Sequence, residues 1–177
     1  MVITKTKLQG CCLIEPERFE DERGFFARAW SKSTFAAHGL DLDFVEANLS
    51  FNLKKNTLRG LHYQSTPHSQ AKLVRCTRGA IYDVALDLRH DSPTYKQWVG
   101  VELTEDNRSM LFLPGGLAHG FQTLKDNSEV FYEATNAYDP ESSHGVRWDD
   151  PAFKIEWPEA PERIMIQRDR EYADFAD

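Results

Sequence analysis

The amino-acid sequence predicts an all-β fold, a sandwich or barrel of many short strands, and two observations carry that expectation. Turn signals recur along the chain ("QG", "DERG", "TRG", "HDSP", "EDN", "PGG", "KDN") and separate short runs rich in Val, Ile, Leu, Phe and Tyr, as such architectures require. Within one run, "AIYDVALDLR", Tyr82, Val84, Leu86 and Leu88 share one face while Ile81, Asp83, Ala85 and Asp87 share the other, because successive strand side chains alternate. The 177 residues are enough to bury a core as a single domain, 1–177.

The N-terminal "MVITKTKLQG" lacks the apolar centre of a signal peptide, and no run approaches ~18 apolar residues. "SKSTFAAHGL" is the clearest helix, with Ser31 or Ser33 as N-cap and Gly39 as its stop. In the strand "LRGLHYQ", His62 and Gln64 point one way and Tyr63 the other. A polar pair on the inner face of a barrel is either a satisfied core group or part of a site. "PGGLAHGF" presents His119 after a tight turn, and "DREYADFAD" reads as a second, weaker helix.

Composition is that of a soluble globular protein, with 41% hydrophobic and 28% charged residues. A net charge of −7 argues against a general nucleic-acid binder, since phosphate backbones demand broad positive surfaces. A small phosphate ligand held by two or three arginines stays compatible with it. Cys11, Cys12 and Cys76 are odd in number, and no CxxC occurs. That usage fits a reducing cytoplasm better than a disulfide framework or a zinc site.

Several polar residues are not required by strand packing: Arg23, Arg59, His62, Lys72, His119, Tyr132, Tyr138 and Asp169. A metal reading is weak, because Gln64 stands two places from His62, where a second imidazole would be needed. Proton chemistry suits them better. Histidine is the usual base near neutral pH, tyrosine can donate a proton, lysine can stabilise an oxyanion, and arginine forks match a diphosphate. Each also has a bland reading. His62 and His119 alone would be satisfied core groups, and Lys72 would snorkel from a strand edge. Tyr132 would be core, Asp169 solvated surface, and Phe19, Phe25, Phe26 and Trp30 core.

Taken together and in order, "FEDERGFF", "LRGLHYQ", "AKLVRCTRGAIYDVALDLRHDSPTY", "PGGLAHGFQTL", "YEATNAYDP" and "GVRWDDPAFKIEWP" resemble the dTDP-4-dehydrorhamnose 3,5-epimerase family of cupins, up to about Asp169. The resemblance implies a cupin-type jelly-roll barrel with short peripheral helices, no metal and no cofactor. It also implies a homodimer whose N-terminal strands cross to the partner. The implied substrate is a nucleoside-diphosphate 4-keto-6-deoxy sugar, whose C3 and C5 hydrogens flank a C4 ketone and are therefore acidic.

By the same resemblance His62 is the base, Asp169 its carboxylate partner, Tyr132 the acid on the opposite face and Lys72 the stabiliser of the enolate oxygen. Arg23 and Arg59 match diphosphate contacts, His119 a sugar or phosphate contact, and Tyr138 the residue that stacks on the nucleobase. Phe19, Phe26 and Asn48 fall in the matching ligand segments. The chain departs from the family pattern at Arg28, where a glutamate is usual, at Glu46 and Ala47 before Asn48, and at His144 and Arg168, where glutamate and lysine are usual. Arg28 is a pure donor and would favour an acceptor edge, so a CDP carrier competes with dTDP in this reading. A C3-only epimerase, a 3,4-ketoisomerase, a metal-dependent cupin and a non-catalytic sugar-nucleotide binder are the competing functions.

Overall fold

In the computed structural model, which describes residues 1–40 and 42–176, the regular structure is almost entirely strands. In order they are β1 (Val2–Lys5), β2 (Cys12–Glu15), β3 (Arg18–Asp21), β4 (Gly24–Ala27), helix α1 (Lys32–Ala37), β5 (Glu46–Asn52), β6 (Leu58–Gln64), β7 (Lys72–Arg78) and β8 (Ala80–Asp87). Then come β9 (Trp98–Thr104), β10 (Met110–Leu113), β11 (Leu117–Thr123), β12 (Ser128–Ala134), β13 (Ser143–Gly145) and helix α2 (Gln167–Arg170). A six-stranded sheet, β1-β2-β10-β7-β12-β5, faces a five-stranded sheet, β13-β6-β11-β8-β9. This is the expected all-β, cupin-like architecture.

The alternation seen in "AIYDVALDLR" is real, but both faces of β8 are buried. Ile81 and Ala85 enter the core between the sheets with Val74, Leu111, Leu117 and Val130. Val84 and Leu86 face outward, beneath Val146, Phe153, Trp148 and Trp157 from the C-terminal third. That third therefore serves as a cover for the five-stranded sheet. Asp87, fully buried, is satisfied by Arg89, Ser92 and Thr94.

Helix α1 is capped by Ser31, whose hydroxyl accepts from the Thr34 N–H, and it stops at Gly39 with φ +78°. Its Phe35 plugs a second apolar cluster on the outer face of the six-stranded sheet. The expected tail helix is corrected: α2 covers only Gln167–Arg170 and the segment beyond it has no regular structure, with Asp177 outside the described residues. One turn cannot hold itself together, because helix nucleation costs more than a single turn returns.

The β3–β4 hairpin pairs only with itself. A lone two-stranded sheet cannot bury its faces, and the expectation that its aromatics are core is corrected here. Phe19, Phe25, Phe26 and the nearby Trp30 are 58%, 43%, 68% and 36% exposed.

Candidate active site

Inward strand positions build one cavity of about 500 Å³, a size that suits a substrate-sized ligand. On β7, Val74 and Cys76 point into the core, so Lys72, two residues earlier, points the same way at the mouth. On β12 the same logic turns Val130 and Tyr132 inward, with Asn48 of β5 directly opposite Tyr132. On β11, Leu117 and Phe121 face the core, and His119 between them faces it too. On β6, Leu61 and Tyr63 pack outward, which leaves His62 inward and in register with His119.

Arg59 breaks the alternation. By parity it should lie opposite His62, yet both line the cavity. A bulge between His119 and Phe121 sets two residues of β6, Gly60 and Leu61, against one of β11, Gly120, and so restores Arg59 to the inner side. Gly60 sits at this bulge with φ +119°, and a Cβ there would meet Gly120 Cα at 2.5 Å. Glycine is what lets the two backbones approach. Arg59 is then aimed by Asn52, whose Oδ1 accepts from its Nε at 2.8 Å.

Asp169 is buried, not solvated surface, and it crosses to β6. Its Oδ1 accepts from His62 Nε2 at 2.8 Å and its Oδ2 from the Gly60 N–H at 3.1 Å. Burial alone would raise its pKa, but the hydrogen bond and charge of His62 and the Gly60 bond outweigh it, so the carboxyl lies below its usual range. An ionised carboxylate only accepts, so the hydrogen-bond network assigns the hydrogen to Nε2 and leaves the lone pair on Nδ1. Arg168 Nη2 lies 3.2 Å from Nε2, and its Nε donates to Asp169 Oδ1 at 3.3 Å.

His62 belongs to the five-stranded sheet and Tyr132 to the six-stranded sheet, so the cavity separates them. Burial raises the Tyr132 phenol, with Glu46 adding to the rise and Arg59 opposing it, which keeps the hydroxyl protonated at neutral pH. Burial lowers the Lys72 ammonium to about 8, against the pull of Asp83. Its Nζ lies 5.7 Å from the centre of the Tyr132 ring.

Asp83 was not singled out in the sequence, although its place among Ile81, Ala85 and Asp87 put it on one face of β8. It is fully buried, and its Oδ1 accepts from His119 Nε2 at 2.8 Å. A carboxylate in an inward apolar register was the available signal. Its second oxygen has no hydrogen-bond partner among the described residues.

Gln64 is a satisfied core group. Its Nε2 donates to the His68 and Ala137 carbonyls and its Oε1 accepts from the Asp139 N–H. Among the described residues no three His, Cys, Asp or Glu side chains converge as a metal site would require.

The remaining expected residues divide. A smaller lobe of about 120 Å³ shares His62, Lys72, Tyr132 and Arg168 with the main cavity and is edged by Tyr138. His144, on β13, is exposed, with its ring 5.5 Å from that of Tyr63 beside this lobe. Arg23, Phe19, Phe26 and Arg28 do not line the cavity of their own chain. Arg23 instead pairs with Asp21 at the hairpin turn, fully in solvent, and Arg28 is exposed just past β4.

Known proteins match this arrangement along almost the whole chain. The profile of the dTDP-4-dehydrorhamnose 3,5-epimerase family covers residues 5–177. The dTDP-4-dehydrorhamnose 3,5-epimerase of Salmonella typhimurium is 46% identical over 159 residues, 89% of this chain and 86% of that protein. The crystal structure of the Bacillus anthracis enzyme of that name, with TDP and PPi bound, superposes with a TM-score of 0.94 at 39% identity, covering 98% of this chain and 99% of that one. A Legionella pneumophila dTDP-6-deoxy-D-glucose-3,5-epimerase in complex with dTDP-4-keto-L-rhamnose gives 0.89 at 38% identity, covering 95% and 89%. With the profile spanning nearly every residue and relatives this similar, the chain belongs to the dTDP-4-dehydrorhamnose 3,5-epimerase family, whose enzymes are isomerases.

Proposed function

We propose that this protein epimerises C3 and C5 of a dTDP-linked 4-keto-6-deoxy sugar, without metal or cofactor. One observation carries the reading: a carboxylate-held imidazole and a half-buried phenol line a single cavity from opposite sheets, with an ammonium beside them. In the proposed reaction His62 Nδ1 takes the proton from a carbon next to the ketone. The C–H electron pair becomes the C–C double bond and the carbonyl pair moves onto oxygen, where Lys72 stabilises the enolate. Tyr132 then returns a proton to the opposite face of the carbon, and exchange with solvent resets both groups. A base on one face and an acid on the other invert a centre; a single face would regenerate the starting sugar. Removing an oxyanion donor of this kind typically costs ~3–4 kcal/mol.

Arg59 is assigned to the diphosphate and Asn48, His119 and Arg168 to the sugar and its phosphates, all from positions lining the cavity. Tyr138, 58% exposed at the smaller lobe, is assigned to the nucleobase, with His144 beside it. The TDP and dTDP-sugar in the two solved relatives support dTDP as the carrier.

The reading includes a homodimer in which the β3–β4 arm of one protomer brings Arg23, Phe19, Phe26 and Arg28 to the partner's cavity. The exposed aromatics on an arm that pairs with no strand outside its own hairpin support it. It also includes a cytoplasmic location, supported by three buried free thiols. Among the described residues no helix is long and apolar enough to cross a membrane.

Incubation of dTDP-4-keto-6-deoxyglucose with the protein in heavy water tests the reading by NMR. Deuterium at both C3 and C5 is expected. Label at C3 alone would establish the monoepimerase, a displaced ketone the ketoisomerase, and no exchange would refute the assignment. Competition between dTDP and CDP decides the carrier.

A further inference from the structure

We propose that the C-terminal segment Glu171–Phe175 is a latch that holds the His62–Asp169 pair in register, with Tyr172 as its positioning residue. The proposal deepens the functional reading above and rests on His62 and Asp169 being the working pair.

The need for a latch follows from α2. Asp169 lies in a helix of four residues whose N-cap, Ile166, makes no side-chain cap bond. Such a turn has no stability of its own, so its carboxylate is placed by what flanks it. Upstream, Ile164 is tied to the start of β6: its N–H donates to the Asn56 carbonyl at 3.0 Å and its carbonyl accepts from the Leu58 N–H at 2.9 Å. Downstream, the chain needs an equivalent tether.

The segment after α2 supplies it at three points. Asp174 pairs with Arg147 at 2.6 Å. The Phe175 N–H donates to Asp150 Oδ2 at 2.6 Å, and the Phe175 ring packs 5.0 Å from that of Phe153 in the outer core. Between α2 and these anchors the chain crosses β13 at Gly145, the residue paired with His62. A Cβ on Gly145 would lie 2.2 Å from Cζ of Tyr172, so the ring occupies the space that the missing side chain leaves. From there it meets the His62 imidazole edge-on, with centroids 6.4 Å apart and planes at 73°. Tyr172 lines neither lobe of the cavity. It therefore acts on substrate only through the imidazole it braces.

Tyr172→Ala, Tyr172→Phe and Phe175→Ala test this, the last opening the latch from its far end, away from the site. If the latch positions the base, Tyr172→Ala and Phe175→Ala lower kcat roughly 10–100-fold, the scale expected of a misplaced reacting group. KM stays within about threefold for both, because substrate binding is left intact. Tyr172→Phe, which keeps the ring, restores kcat. In protein labelled with ¹⁵N-histidine and free of substrate, the wild-type His62 ring reports a single Nε2–H form, and Tyr172→Ala reports a mixture. Wild-type kcat and ring signal in Tyr172→Ala, or a loss in Tyr172→Phe as large as in Tyr172→Ala, would overturn the proposal. Should the wild type fail to turn over the sugar, the functional reading falls alone, since the ring signal still reports the latch.

Discussion

Replacing Asp169 by asparagine isolates what the buried carboxylate contributes. Asp169 offers two acceptor oxygens to two donors, His62 Nε2–H at 2.8 Å and the Gly60 N–H at 3.1 Å. Asparagine keeps the shape but has one acceptor and one donor. With its oxygen on Gly60, its NH₂ faces Nε2 and drives the imidazole hydrogen to Nδ1, which removes the base. Turning the amide restores the tautomer but leaves the buried Gly60 N–H against a donor, at about 1–3 kcal/mol. Loss of the charged hydrogen bond that stabilises the imidazolium adds about 1.5–3 kcal/mol. The sum, about 2.5–6 kcal/mol, corresponds to roughly 10²–10⁴ in kcat at 1.36 kcal/mol per decade. The assay is the rate of deuterium uptake at C3 and C5, with KM measured alongside and a melting curve to establish folding. A folded Asp169→Asn protein that exchanges both carbons within about threefold of wild type, far below that estimate, would refute the reasoning.

Three further outcomes are expected. Tyr132→Phe removes the returning acid while leaving the base, so deuterium enters the starting sugar but epimer formation falls ~10²–10⁴-fold, as product analysis by NMR would reveal. Lys72 is charged below about 8 and neutral above it, so activity that needs its ammonium is high at neutral pH and declines as pH rises through that value; a kcat profile flat to pH 10 would contradict this. Gly60→Ala places a Cβ 2.5 Å from Gly120 Cα and 2.7 Å from the His119 carbonyl oxygen at φ +119°, and strain plus overpacking at this site predicts a loss of about 2–4 kcal/mol in denaturant unfolding.

Much of the site was legible because strand periodicity is local. Once "LRGLHYQ" is a strand, His62 and Gln64 share a face whatever they pair with, and the same holds for Val130 and Tyr132 or for Asp83 and Ala85. What each of those residues does was not legible. Gln64 and His62 share a face, yet one is pinned by three backbone groups and the other is tied to a carboxylate. Asp83 and Asp87 also share a face, yet one carries His119 and the other a surface turn. Asp169 looked solvated because its neighbours in sequence are charged; its real neighbours are 107 and 109 residues away. The tail looked helical because its composition is, but Phe175 gains more from the outer core than an isolated turn could return.

Read alone, the chain determined that the protein is all-β, which residues share each strand face, and which groups suit proton transfer beside a ketone. Those properties depend on a period of two and on side-chain chemistry, both set within a few residues. Only the tertiary structure decided which face is inside and that a bulge at Gly60 brings Arg59 round to join His62. It also decided that Asp83 holds His119, and that the β3–β4 arm stands apart from its own cavity. These depend on register between segments far apart in the chain, and register is settled by packing across the whole sandwich, not by any stretch of it.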